Sequence, residues 1–495
     1  MSQPRAPLRR VVVVGGGQLG VLAAIALRRS LPGCEVVVIG TQPSPAAFAD
    51  WSPTAMPFTN KLHDRLGIAE EDIVTKAGGS YRLVTRYAGW GGAGQEGVTA
   101  YGEALDPALK TAFARAWGKV RPLAEGAPPA GSIAQVLAEA GRFAPPPPGE
   151  PTPISAVDYA LRWHPGAYRA LLIQHAEALG VAYVQGVIDR IEPGAASGDG
   201  DAIAAIGVTG QGMIAADLFI DCSGPQASLL AAHPRFAFTD WSAALPTRHV
   251  YLAEPSAPVI ALEDRVTLAS AGWLAEVAGR DGRHAMLGTA APLERGAAEA
   301  LLGASLRGAV ALSPGRAAAP WIGNIIALGD AAARFDPLGP LHLDLAHRQL
   351  ALLIEMLPGR DISPLERAEY NRRSGLMMDG VCEVIALHYA ASGARAVFGD
   401  RPVPGQGAAV IDQFERRGRI PFREELPLLG QEQFALLVAL GWAPGLPPAA
   451  RGEDAAGEAR ARAAFESEAR AALAFAPPYA EWLARALSAN RAPAG

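Results

Sequence analysis

The sequence predicts an α/β fold, a doubly wound dinucleotide-binding domain with an inserted β-sheet module and a helical C-terminal region. Three observations carry this. Residues 11–40, "VVVVGGGQLGVLAAIALRRSLPGCEVVVIG", read as strand, glycine turn, helix and strand. Buried strands ending in tight turns recur at "AADLFIDCSGP" and "NIIALGDAAA". Beyond about residue 345 the pattern is mostly helical, including the Ala, Glu and Arg-rich "EDAAGEARARAAFESEARAALA" with a solvated face.

In the first unit, Gly15, Gly17 and Gly20 form G-x-G-x-x-G between a strand and a helix. The first allows the tight turn, the second lets backbone approach a pyrophosphate, and the third lets helix pack on strand. The helix N-terminus then receives the phosphates. The acid that ordinarily closes the second strand and holds the ribose hydroxyls is replaced by Gly40, followed by Thr41 and Gln42, so a neutral side chain or water must substitute. Further on, "YALRWHPGAYRALLIQHAEALGVAYVQG" reads as an amphipathic helix running into a strand. The Gly329-Asp330 pair closes another strand, where the aspartate either accepts hydrogen bonds from sugar-like hydroxyls or caps a helix. Residues 144–153, "APPPPGEPTP", can form neither helix nor central strand and read as an extended surface connection. The expected division is a dinucleotide-binding fold over 1–345, carrying substrate-side segments at about 50–150 and 235–312, and a helical region over 346–495 that completes the substrate module.

Composition narrows the function. Half of the 495 residues are apolar, as in an ordinary globular chain. Lys plus Arg number 44 against 49 Asp plus Glu, and no basic run offers a track for a phosphate backbone, which argues against nucleic acid. Cys34, Cys222 and Cys382 are far apart with no CxxC pair, so no zinc site or disulfide framework is expected; they read as buried thiols in a reducing cytosol. "VVVV" is too short for a signal core or a membrane span, and the expected location is cytoplasmic.

The order of "GGGQLG", "YALRWHPGAYRALLIQHAEALGV", "ADLFIDCSG", "AGWL", "WIGNIIALGDAA", "DPL" and "EYNRRSGLMMDGVCEVIALHY" resembles the flavin-dependent tryptophan halogenase family over roughly residues 10–393. The resemblance implies a flavoprotein-monooxygenase fold binding FAD through Gly15, Gly17, Gly20, Gly329 and Asp330. It also implies a helical substrate module, and reduced flavin supplied by a separate flavin reductase for use with dioxygen. In that family chloride is oxidised at the flavin, and a lysine with a glutamate directs the halogen to an aromatic carbon. The position matching the lysine, in "GGSYRLVTRYAGW", is Arg82, which stays protonated and cannot form a haloamine but can hold an anion. Pro337-Leu338 is followed by Gly339 where the glutamate is expected, and of two tryptophans and a proline that shape the flavin side, Trp273 remains while Ala275 and Ala278 replace the others.

Three changes at separate places imply a family member with altered chemistry: an FAD-dependent oxidoreductase of monooxygenase type acting on a small or tethered aromatic substrate, with a homodimer among the states it allows. The alternatives are a genuine halogenase with non-standard residues and a non-catalytic flavin- or substrate-binding protein. Arg82 is the expected anion anchor, its charge assigned to a site and not to a buried structural pair. His342 is a proton-donor candidate, with Asp344 either its partner or a helix cap. Trp51, Trp90 and Trp273 either stack an aromatic substrate or belong to the core. His164 and His347 read as surface or satisfied buried groups.

Overall fold

The computed structural model describes residues 6–102, 110, 131–147, 149–194, 202–446 and 454–489. The chain divides into two compact units, one of residues 1–78, 163–243 and 310–382, the other of residues 79–162, 244–309 and 383–495.

The first unit is built on β1 (Arg10–Val14), α1 (Gln18–Ser30) and β2 (Glu35–Ile39). Val11 to Val14 are completely buried, as a run of β-branched residues in a doubly covered parallel strand should be. β1 pairs in parallel with β2 on one side and with Leu218–Asp221 on the other; Ala182–Val184 extends the sheet beyond β2, and Ile325–Ala327 beyond Leu218–Asp221. Trp321–Ile322 closes this six-stranded sheet as an antiparallel edge. α1 is buried from Gln18 through Leu27 and ends before Pro32. The helix expected around "HPGAYRALL" is Pro165–Ala178, with proline at its first position and the His164 ring accepting from the Ala167 N–H at 3.0 Å. A further three-stranded sheet joins Phe238–Asp240, Gly315–Ala317 and Ala333–Arg334.

The second unit holds a seven-stranded sheet in which Glu263–Ala269 lies parallel to Val84–Ala88 and antiparallel to Gly272–Val277. Ser80–Arg82 and Ala160–Arg162 form a separate antiparallel ribbon. Helix Gly430–Ala439 approaches strand Glu96–Ala100 so closely that a Cβ on Gly97 would lie 2.3 Å from the Ala439 Cα. Ala455–Phe475 is the expected Ala, Glu and Arg-rich helix, with only Ala469 and Ala472 buried along it. In the proline-rich stretch, residues 144–147 carry no regular structure and Pro148 lies outside the described residues. No helix among the described residues is long and apolar enough to cross a membrane.

Candidate functional site

The glycine loop is fixed by close backbone contacts. Gly15 has φ +132° and donates to the Ile39 carbonyl at 3.0 Å, while Gly16 donates to Thr41 at 3.0 Å. A Cβ on Gly15 would lie 2.1 Å from the Cys222 carbonyl oxygen, and one on Gly20 would lie 2.0 Å from the Gly15 carbonyl oxygen. At Gly17 the neighbour is a side chain, because a Cβ there would lie 2.1 Å from the carboxyl carbon of Asp50. Asp50 Oδ1 accepts the Leu19 N–H at 3.0 Å, so a carboxyl from the short helix Phe48–Trp51 caps α1, whose own N-cap, Gly17, has no side chain. Burial pushes the Asp50 pKa up to about 7, assisted by the Asp330 charge and opposed by the Leu19 N–H and Arg169.

The place left by the missing ribose acid is filled from the neighbouring helix and strand. Tyr183 packs over Gly40, where a Cβ would lie 2.5 Å from its ring. Arg169 donates through Nε to the Gly16 carbonyl and through Nη2 to the Tyr183 hydroxyl at 3.0 Å. Sequence reasoning missed Arg169, Tyr183 and Asp50. The available signal was a cation and a phenol in the helix and strand next to an acid-less β2.

Gly329, with φ +61°, opens the turn that presents Asp330. Asp330 Oδ2 accepts the Ala49 N–H at 2.8 Å, so it caps Phe48–Trp51 as Asp50 caps α1. Its Oδ1 faces His342 Nδ1 at 2.6 Å, and His342 Nε2 faces the Phe335 carbonyl at 2.9 Å. A carbonyl only accepts, so Nε2 carries a proton and a second proton lies between Nδ1 and Oδ1. Phe335 stacks on the imidazole at 3.8 Å between ring centroids. Beside this pair a cavity of about 260 Å³ is lined by Ser44, Phe48, Gln226, Ser313, Asp330 and Arg334, among others.

In the second unit Arg82 is 1% exposed, and its Nη1 donates to Asp264 Oδ2 at 2.9 Å. Arg162 donates through Nε to the other oxygen of the same carboxylate at 2.9 Å, its Nη2 lies at ion-pair distance from that oxygen, also 2.9 Å, and its Nη1 donates to the carbonyls of Tyr81 and Ala261. Tyr101 lies against the Arg82 guanidinium at 5.3 Å, and burial pushes its phenol up to about 12. The expectation that the Arg82 charge avoids a buried structural pair is therefore corrected: the ribbon sets Arg82 opposite Ala160 and Arg162 opposite Ser80, on one face, and both guanidiniums close on Asp264.

A family model described as tryptophan halogenase matches residues 10–441. The chain belongs to the tryptophan halogenase family. The match runs past residue 393, where the motif order alone fades. The chain is 23% identical over 420 residues to tryptophan 7-halogenase RebH of Lentzea aerocolonigenes, covering 77% of this chain and 76% of that one. The fold matches that of BrvH, a flavin-dependent halogenase from Brevundimonas sp. BAL3, with a TM-score of 0.84 at 24% identity, covering 97% of this chain and 99% of the other. It matches that of Xcc4156, a flavin-dependent halogenase from Xanthomonas campestris, with a TM-score of 0.84 at 22% identity, covering 97% and 98%. The family comprises flavin-dependent enzymes of oxidoreductase kind, and FAD is the cofactor that membership implies.

The remaining family-matched positions are occupied as follows. Gly339 has φ +74°, and a Cβ there would meet nothing within 4 Å. Ala275 and Ala278 are buried. Trp273 is fully buried, its indole N–H shared between the Thr247 and Tyr389 hydroxyls at 3.0 Å each. Trp90 is also fully buried and donates to the Val266 carbonyl at 3.1 Å. For these two the substrate-stacking expectation gives way to core packing, because no ring face reaches the surface. Trp51 stays half-buried and donates to the Ser44 carbonyl at 2.9 Å. Asp344 neither caps a helix nor pairs with His342: it is completely buried within helix Leu341–Glu355 and accepts from Arg348, one turn on, at 2.7 Å. His347 is buried against the Thr59 hydroxyl at 2.9 Å. All three cysteines are buried free thiols, and among the described residues no cluster of acidic, His or Cys side chains is arranged to hold a metal.

Proposed function

We propose that the protein is an FAD-dependent oxidoreductase of monooxygenase type, using reduced flavin from a separate reductase and dioxygen on an aromatic or carrier- or peptide-bound substrate, without standard halogenation. The observation that carries this is the burial of Arg82 on Asp264, because the position matched to the family's lysine offers no amine to receive a halogen. Gly339, Ala275 and Ala278 add to it at the other matched positions.

The first unit is the FAD-binding part of this reading, and its residues fit the group: three glycines whose Cβ space is taken, the N-terminus of α1, and a cavity bordered by Asp330. Bound and reduced, FAD supplies the electrons that activate dioxygen. The chain's own residues orient and exclude. Gly15, Gly17 and Gly20 admit the pyrophosphate, Arg169 and Tyr183 border the ribose end, and Asp330 with His342 holds a proton at Nδ1 beside the cavity.

Two measurements test this. Titration with FAD should saturate, and Gly17→Val should weaken it more than about tenfold, or ~1.4 kcal/mol, while the fold is retained; unchanged affinity in the folded variant rejects the assignment of the loop. Mass spectrometry of products formed with reduced FAD, oxygen and chloride or bromide over a panel of aromatic substrates should show oxygenated and no halogenated product. Arg82→Lys should not introduce halogenation, since Gly339, Ala275 and Ala278 remain. Halogenated product from the unaltered protein establishes instead a halogenase with non-standard residues, and no oxygen uptake beyond that of free reduced flavin leaves a binding protein.

A further inference from the structure

We propose that Arg334 is the anion-holding residue of the first unit's cavity and positions a negatively charged group of the bound dinucleotide. The proposal rests on the reading of that unit as an FAD site.

The Arg334 backbone is fixed by antiparallel pairing with Gly315. Its guanidinium carbon lies 5.1 Å from the centroid of the Phe238 ring, on a strand of the same small sheet. A cation on an aromatic face is held in place without using its hydrogen-bond donors. Nε is buried and has no hydrogen-bond partner, and among the described residues no carboxylate lies within ion-pair distance of the group. Arg316, one strand away, shows the ordinary arrangement: its Nε and Nη2 grip both oxygens of Asp379 at 2.7 and 3.0 Å. The acid that Arg334 shares the cavity with, Asp330, already has one oxygen on Ala49 and the other on His342. Burial lowers the proton affinity of Arg334, and the Asp330 charge offsets this only in part.

A half-buried cation with an idle donor is costly unless something arrives to meet it. Arg334 borders the cavity of about 260 Å³, whose other polar lining includes Ser44, Gln226 and Ser313, all able to donate. The complement of that lining is an anion with several acceptor oxygens. FAD offers two such groups, the pyrophosphate and the N1–C2 carbonyl edge, which gains negative charge when the flavin is reduced.

The test uses Arg334→Gln and Arg334→Lys in the full chain, checked for unaltered unfolding, with ADP, inorganic pyrophosphate, oxidised FAD and anaerobically reduced FAD as ligands. Arg334→Gln should weaken FAD tenfold or more, and Arg334→Lys should recover part of the loss. An equal loss for ADP assigns the pyrophosphate. Unchanged ADP affinity, with a greater loss for reduced than for oxidised FAD and a lowered midpoint potential, assigns the flavin edge. Wild-type affinities for all four ligands and an unshifted potential in Arg334→Gln overturn the proposal. Arg334-dependent binding of ADP or pyrophosphate without FAD binding would remove the cofactor reading and leave the anion site standing, whereas a wild-type protein that binds none of the four removes both.

Discussion

Arg82 in the second unit and Arg334 in the first are both arginines withdrawn from bulk water, yet their surroundings differ in kind. Around Arg82 the protein supplies the counter-charge: Asp264 lies between two guanidiniums, and Arg162 is further tied to two main-chain carbonyls. Around Arg334 it supplies a ring face and a cavity, with the nearby acid already engaged. The first arrangement resists change because every charge depends on another, and the second leaves a cation bordering a cavity. A cation inherited at a family's catalytic position is therefore no guide to where an anion binds; whether the protein already supplies its counter-charge is.

The largest effect should come from breaking the closed arrangement. Asp264→Ala leaves two buried guanidiniums without their carboxylate, a change expected to cost about 3–5 kcal/mol of stability. Arg82→Ala removes one cation and leaves Asp264 with Arg162, so its loss should be smaller but still measurable, as the buried pair requires and as a charge assigned only to a site would not. Arg334→Gln, by contrast, should unfold within about 0.5 kcal/mol of the parent. Chemical denaturation of the three variants checks this, and an Asp264→Ala protein as stable as Arg334→Gln would abolish the distinction.

Acid should separate the units more gradually. In the first unit burial lowers the pKa of His63 and His347 to about 3, from an ordinary value near 6.5. Both are neutral when folded and charged when unfolded at pH 5, so they contribute stability that is complete above 6.5 and is lost as pH falls. Asp50 acts in the opposite sense: its raised pKa of about 7 makes the folded state bind a proton that the unfolded state binds only near 4. His175, lowered by burial and by the Arg29 charge, adds to the loss on acidification, and Asp344, raised by burial, opposes it with Asp50. In the second unit His388, lowered to about 4 by burial, contributes in the same sense as His63 and His347. Asp50→Asn removes part of the offset and should steepen the loss of stability on acidification in the first unit only. Denaturation midpoints at a series of pH values measure both, and equal slopes before and after the substitution would show that Asp50 does not titrate as its burial demands.

Much of the first unit was legible because its signals are local. A run of four valines, the three glycines of the G-x-G-x-x-G pattern and an apolar helix lie within residues 11–27, and Gly15 and Gly20 each meet a backbone carbonyl that leaves no room for a side chain. The charged partners were not legible, because they are set by pairing between distant segments. Asp264 is 182 residues from Arg82, and the ribbon that juxtaposes Arg82 with Arg162 depends on strand register that no local pattern specifies. Asp344 was misread for the opposite reason: an acid near a helix start suggests a cap, but its partner is Arg348 in the next turn. Arg169 and Tyr183 lay inside a stretch correctly read as helix and strand, yet only the sheet order places that strand beside Gly40.

The smallest expected effect bears most directly on how the first unit receives an anion. Asp50 occupies the first turn of α1, where a dinucleotide would bring its phosphates, and its carboxyl lies against Gly17. Protonated, it can remain as a neutral neighbour; ionised, it repels the incoming charge. Because its folded pKa is raised to about 7, FAD affinity should fall as pH rises from 6 to 8. Asp50→Asn keeps an acceptor for the Leu19 N–H and removes the charge, so it should leave affinity at pH 6 nearly unchanged and improve it at pH 8 by about three- to tenfold, or ~0.7–1.4 kcal/mol. Fluorescence titration of FAD at the two pH values reads this directly. The same pH dependence in the variant as in the wild type would mean that the carboxyl moves aside on binding, leaving Arg334 and Arg169 as the charges that set the affinity.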